Sequence, residues 1–220
     1  MTSVPRICLI SSGLDRFYET NTLLLKKQLG LDLIPIDFYG LFWEPVNYLK
    51  INAFSNGFHK STVWTAPQRS FEDFHNIYKA PETNQKNFLS MTWGRWLLAQ
   101  QMKQYEIWDQ YEIFIYCRPD TCLNSPINFA QLLPILEKFD IIVPSNGHHR
   151  GGVNDQLAIG GRKMFTYLNL FPEIARYTSE KILLHPETML LHHLKVHDVQ
   201  LAAQPFVNFI FRSDTQFDVG

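Results

Sequence analysis

The chain has 220 residues, 45% of them hydrophobic and 19% charged, with 20 Lys and Arg against 21 Asp and Glu for a formal charge of -1. That is enough apolar material for one substantial core, and the charge balance excludes the basic footprint of a nucleic-acid-binding protein. No apolar run approaches the ~18 residues of a membrane span and no signal-peptide pattern is present, so the expectation is a soluble, cytoplasmic protein.

Residues 6–12 (RICLISS) form an apolar run that ends in Ser11, Ser12 and Gly13 and leads into a helical pattern over 16–29, stopped by Gly30. Strand, small polar turn and helix is how an α/β nucleotide-binding unit begins. Ser11, Ser12, Gly13 and Arg16 are therefore the phosphate-side candidates, although the same string also reads as a plain turn. Residues 31–39 alternate in the manner of a strand with one apolar face. From 40 to 82 aromatics and prolines follow one another without a sustained period, an excursion whose length suits a lid or binding loop.

Residues 85–110 predict the longest helix, with Phe88, Met91, Trp93, Leu97, Leu98, Met102 and Tyr105 on a broad apolar face interrupted by Gly94 and Arg95. An arginine in that setting snorkels or pairs with a carboxylate more often than it meets a phosphate. The three cysteines contain no CxxC pair and read as reduced core thiols.

The most informative stretch is 111–161. Residues 113–116 read as a buried strand that ends abruptly in Arg118, Pro119 and Asp120, and ligands of open α/β sheets sit outside the carboxyl ends of the strands. A helix over 128–138 joins it to a second strand over 139–144, a right-handed crossover. A loop carrying His148, His149, Arg150 and Gly152 follows. Asn154, Asp155 and Gln156 then run directly into a third strand over 157–159.

Residues 162–180 predict a helix perturbed by Pro172. HPETMLLHHLKVH begins another, with Pro186 in its first turn and Glu187 at the positive end of its dipole. His192, His193 and His197 read as surface or partly buried side chains, whereas His185 and Glu187 face a possible cleft. A strand pair over 199–203 and 206–212 closes the pattern.

Asp155 stands out chemically. A carboxylate preceded by glycines can be approached closely by a ligand, and Asn154 and Gln156 offer donors and acceptors for hydroxyl groups. His148 and His149 lie in the loop that reaches the same place.

The combination of RPD, IIVP, NDQLAIG and HPE resembles the small soluble glycosyltransferases of the GT-A fold found in bacterial surface-polysaccharide loci, plants and large algal viruses. The likeness covers 111–195, with a looser match at the first strand. It implies a single α/β domain over 1–220 with a mixed central sheet flanked by helices, its nucleotide-binding part about 1–125 and its acceptor and catalytic part about 126–212. It further implies hexosyl transfer from a nucleotide sugar, UDP-linked, to a glycan or glycoprotein, with the NDQ segment lining the sugar side of the cleft. There Asp155 is either the base for the acceptor hydroxyl, if configuration inverts, or the group that orients the donor, if it is retained.

Such an enzyme must stabilise a diphosphate leaving group, and the resembled family uses Asp-x-Asp with a divalent metal, Mn or Mg. Here that position reads Arg118-Pro119-Asp120. Two readings stay open: Asp120 holds a metal with help from elsewhere, such as His185 or Glu187, or Arg118 supplies the charge and no metal is needed. A non-catalytic carbohydrate-binding domain and a nucleotidyl or phosphoryl transferase are the alternatives, the latter without a GxxxxGK[ST] loop to support it.

Overall fold

The computed structural model describes residues 5–16, 19–69, 71, 85–123, 125–205 and 208–210. Mostly apolar runs, many rich in β-branched and aromatic residues, supply the strands, and helices between them cover both sheet faces. In chain order the elements are β1 (Ile7–Gly13), α1 (Glu19–Leu29), β2 (Ile36–Glu44), α2 (Tyr48–Ser55), β3 (Ser61–Pro67), α3 (Gln85–Gln104), β4 (Ile113–Cys117) and β5 (Thr121–Leu123). They continue with α4 (Phe129–Leu136), β6 (Ile141–Pro144), β7 (Leu157–Gly160), α5 (Met164–Leu168), α6 (Ile174–Ser179), α7 (Pro186–Val196), β8 (Leu201–Gln204) and β9 (Asn208–Ile210).

Seven strands form one sheet in the order β3-β2-β1-β4-β7-β6-β8, and β5 pairs with β9 in a separate ribbon. β3, β2, β1 and β4 are mutually parallel, as are β6 and β8, whereas β7 runs against both β4 and β6. This reversal positions the site. Cys117 pairs with Leu157, so the residues that follow β4 meet the residues that precede β7.

Alternation in β4 shows how the two layers of core are built. Phe114 and Tyr116 join a cluster with Leu98 and Met102 of α3, Tyr167 of α5 and Leu190 of α7. Ile113, Ile115 and Cys117 join the opposite cluster, with Leu25 of α1, Phe54 of α2 and Leu132 of α4. A strand buried on both faces carries no polar alternation, as expected of a central strand in a sheet covered on both sides. Cys8, Cys117 and Cys122 are free and buried, and burial raises all three thiol pKa values, that of Cys122 to about 12.

Several expectations shift. The strand predicted over 31–39 begins at Ile36, because Gly30 turns the chain at φ +69° and Leu33 and Ile34 bond back to its carbonyl; Leu33 is 86% exposed. β2 then continues to Glu44 and is buried on both faces rather than one. Within 40–82, α2 starts where the Asn47 side chain accepts from the N–H groups of Leu49 and Lys50, and β3 extends the sheet; residues 70 and 72–84 lie outside the described set.

The helix predicted to 110 stops at Gln104, Glu106 adopts φ +54°, and one 3-10 turn follows at Ile107–Asp109. Tyr105 is exposed, whereas Gly94 and Arg95 lie on the buried face. Residues 162–180 divide into α5, a 3-10 turn at Phe171–Glu173 that contains Pro172, and α6. His193 is fully buried between the Tyr177 hydroxyl and the Thr166 carbonyl, and burial, then His197, brings its pKa down to about 4.

β4 and β6 point the same way, as a crossover requires, but β7 lies between them. The strands expected to pair at the end do not: β8 lies against β6 and β9 against β5, with residues 206, 207, 211 and 212 outside the described set. Among the described residues no helix is long and apolar enough to cross a membrane.

Candidate functional site

At the carboxyl ends of β1, β2 and β4 lies a cleft of about 440 Å³ whose walls include Ser12, Gly13, Arg16, Trp43, Arg118, Asp120, Asp155, Gln156, His185 and Glu187. Gly13 ends β1 at φ +122°, a conformation that residues with a Cβ rarely adopt, and so turns the chain across the cleft floor. Ser12 is 5% exposed, and its hydroxyl has no hydrogen-bond partner among the described residues. Ser11 is not among the lining residues. Its hydroxyl donates to the Cys117 carbonyl at 2.7 Å and ties β1 to β4.

The turn after β4 is held from three sides. The Arg118 N–H donates to the Gln156 carbonyl at 3.0 Å, Thr121 N–H to the Arg118 carbonyl at 3.0 Å, and the Asn21 amide of α1 to the Pro119 carbonyl at 2.8 Å. Within this turn Arg118 grips Asp120 with two parallel bonds, Nε to Oδ1 at 3.0 Å and Nη2 to Oδ2 at 2.8 Å, the bidentate geometry that a guanidinium favours. Arg16 Nη1 stands 3.7 Å from the same carboxylate. Burial alone would lower the Arg118 pKa, but the nearby Asp120 and Asp155 carboxylates more than offset it and hold the cation.

Asp155 is held from beneath. Arg95 rises from α3 only 1% exposed, donating from Nε to the Tyr116 hydroxyl at 2.9 Å and from Nη2 to the Asp155 carbonyl, with Nη2 also 3.2 Å from Asp155 Oδ2. Its guanidinium lies over the Tyr116 ring, 4.7 Å from the centroid. Burial pulls its pKa down, and Tyr116 and Asp155 more than restore it. One arginine thus fixes both the backbone and the carboxylate of the central acidic residue.

Asn154, Gly152 and His148 are placed behind the cleft rather than in it. Asn154 is fully buried: its side chain donates to the Asn146 carbonyl and accepts from the Gln156 N–H at 2.9 Å, while its own N–H donates to His148 Nδ1. Gly152 lies against α7 so closely that a Cβ would overlap the Glu187–Thr188 peptide. These residues shape the loop that carries Asp155 and Gln156 and are not among the cleft-lining side chains.

The start of α7 completes the wall. Pro186 occupies the first helical turn, and Glu187 is 5% exposed, its Oε2 accepting from the His149 N–H at 2.7 Å. Burial first, then repulsion from Asp155, raises the Glu187 pKa to about 7, with His149 opposing. His185 Nδ1 is 4.0 Å from the same oxygen, and burial lowers the His185 pKa.

Trp43 is a lining residue that the sequence did not single out. The expectation that Arg95 pairs with a carboxylate is met, and its partner is Asp155; the Gly-Arg break in an otherwise apolar helix face marked the place where the helix meets something polar. Gly94 leaves room for the Trp43 ring, which a Cβ would approach to 2.9 Å.

Among the described residues no three His, Cys, Asp or Glu side chains gather closely enough to hold an ion. Asp120, the expected metal ligand, gives both oxygens to Arg118. In this arrangement the residues do not fit the metal set that the resemblance implies.

No family model matches the chain, and no curated protein matches it in sequence. Solved structures do match. Mouse xyloside xylosyltransferase 1, in its apo form, superposes with a TM-score of 0.52 at 9% identity, covering 91% of this chain and 84% of that one. Core-mannan synthase A from Aspergillus fumigatus, in a Mn/GDP form, gives 0.60 at 9% identity, covering 94% and 75%. The chain has the mixed α/β architecture of these GT-A-like glycosyltransferases, a seven-stranded sheet flanked by helices.

Proposed function

We propose that the protein is a glycosyltransferase that moves a hexose from a nucleotide sugar, UDP-linked, to a glycan or glycoprotein acceptor. One observation carries this reading: a single cleft at the carboxyl ends of the sheet sets a held arginine, Arg118, beside an acidic residue, Asp155, that a buried arginine fixes in place. The fold supports it, since both structural neighbours are glycosyltransferases by name.

In the transfer, the acceptor hydroxyl oxygen bonds to the anomeric carbon, the bond from that carbon to the diphosphate oxygen breaks, and the hydroxyl loses its proton. The departing diphosphate gathers negative charge, which Arg118 meets. Asp155 faces the sugar side, where a fixed carboxylate can stabilise positive charge on the ring or take the acceptor proton. Gln156 beside it contributes amide hydrogen bonds for hydroxyl groups. Glu187, with its pKa near 7, is the neighbouring group that can hold a proton at neutral pH.

Calorimetric titration with UDP, GDP and CMP tests the donor assignment, UDP being expected to bind most tightly. Release of UDP from a UDP-hexose, lost in Asp155→Asn, tests the chemistry. If no nucleotide binds and no donor turns over, a non-catalytic carbohydrate-binding role replaces this reading.

A further inference from the structure

Resting on the glycosyl-transfer reading, we infer that this cleft binds the donor diphosphate without a divalent cation, through Arg118, Arg16 and the Ser12 hydroxyl, with Asp120 acting as the positioning residue for Arg118. The starting observation is the engagement of Asp120. A hard cation takes several oxygen ligands, and the carboxylate at the expected position has each oxygen within 3.0 Å of an Arg118 nitrogen. Asp120 is 3% exposed, so turning it toward an ion would leave the guanidinium without its partner in a largely dry place. Removing one member of a buried charge pair is costly for that reason.

The same geometry makes Arg118 a better anion binder. A guanidinium has five N–H donors in a rigid plane, and the fork to Asp120 uses two of them. The rest belong to a side chain that lines the cleft with 23% exposure. Arg16, on the turn after β1, lies 3.7 Å from Asp120 Oδ2, the oxygen that Arg118 Nη2 also reaches, so one carboxylate oxygen faces two cations. Two guanidinium charges against one carboxylate leave the trio a net positive charge. A bridging carboxylate holds two like-charged side chains near each other before any ligand arrives, which reduces the ordering cost of binding.

Ser12 is an independent pointer to a ligand. Its hydroxyl is buried, has no partner among the described residues, and belongs to the same cleft wall. A buried hydroxyl left unpaired is costly, and a phosphate oxygen is an acceptor that would satisfy it. The turn is rigid enough to keep this arrangement, because the Pro119 carbonyl is tied to Asn21 of α1.

The test is calorimetric titration of the full chain with UDP, once in EDTA and once in excess manganese, alongside manganese titrated alone. The expected result is the same UDP affinity in both buffers and no saturable uptake of manganese by the free protein. Arg118→Ala and Arg16→Ala should each weaken UDP in EDTA by roughly 10- to 100-fold, the range for a hydrogen bond to a charged group. Arg118→Lys, which keeps the charge and loses the fork, should fall between wild type and Arg118→Ala and guards against a variant that misfolds. Asp120→Asn should weaken UDP equally with and without manganese.

UDP binding that requires manganese, and is abolished by Asp120→Asn, overturns this inference and leaves the glycosyl-transfer reading standing. No binding of UDP, GDP or CMP in either buffer overturns both.

Discussion

Two arginine–carboxylate pairs face the same cleft and are built for different work. Arg95 and Asp155 are sealed, with side-chain exposures of 2% and 6%, and the arginine also grips backbone and two tyrosine rings. Arg118 and Asp120 are asymmetric, at 23% and 5%: the acid is buried and the base looks outward. On the proposed function, the cation of the first pair serves the carboxylate, and the carboxylate of the second serves the cation. The two acids are almost equally buried; what differs is the base, enclosed in one pair and reaching the cleft in the other.

The largest effect that can break this comparison is on turnover. Asp155→Asn keeps the shape and removes the charge, and should slow sugar transfer by about 10²- to 10⁴-fold in a single-turnover assay while UDP affinity holds. Undiminished turnover would remove Asp155 from the chemistry. Arg95→Ala attacks the sealed pair from the other side. It leaves a buried carboxylate unpaired, so chemical denaturation should show a loss of about 3–5 kcal/mol. A cost under ~1 kcal/mol, the scale of an exposed pair, would mean that this pair is not sealed at all.

A third measurement concerns Glu187, a cleft carboxylate with no arginine partner among the described residues. Glu187 titrates near 7 in the fold against an ordinary value of 4.5, so the folded state holds its proton where the unfolded chain has released it. The stability this contributes is complete below about 4.5 and is lost as the pH rises through 7. Its full size is at most ~3 kcal/mol. Stability against pH for Glu187→Gln should lack that decline between about pH 4.5 and 7, and an unchanged curve would assign the decline to other groups. The smallest expected effect is at the loop behind the cleft. Gly152→Ala should cost about 1–3 kcal/mol by pressing on the start of α7, with a melting-temperature shift as the readout.

Much of this was legible beforehand for local reasons. Buried strands that stop at RPD and start after NDQ announce themselves, because an uninterrupted apolar run cannot continue through charged residues. The start of α7 was equally plain, since Pro186 and Glu187 suit the first turn of a helix and no other part of it. What stayed hidden was pairing at a distance. Nothing in residues 141–160 says that β7 inserts between β4 and β6, and nothing in the last strands says that they separate to different partners. The role of Arg95 depends on the first of these, for it meets Asp155 because β7 runs antiparallel beside β4. The burial of Asn154 and the packing of Gly152 on α7 were hidden for a related reason: residues that shape a loop carry the same polar and glycine signature as residues that touch a ligand.

The small ribbon of β5 and β9 has a consequence for biosynthesis. Thr121 to Leu123, which follow Asp120 directly, pair with Asn208–Ile210, far along the chain. During translation the first strands and the long helix emerge well before that partner exists, and early segments begin to fold as they leave the ribosome. The turn bearing Arg118 and Asp120 therefore remains unbraced on one side until residue 210 has been made. On the proposed function, donor binding is among the later properties the nascent chain acquires.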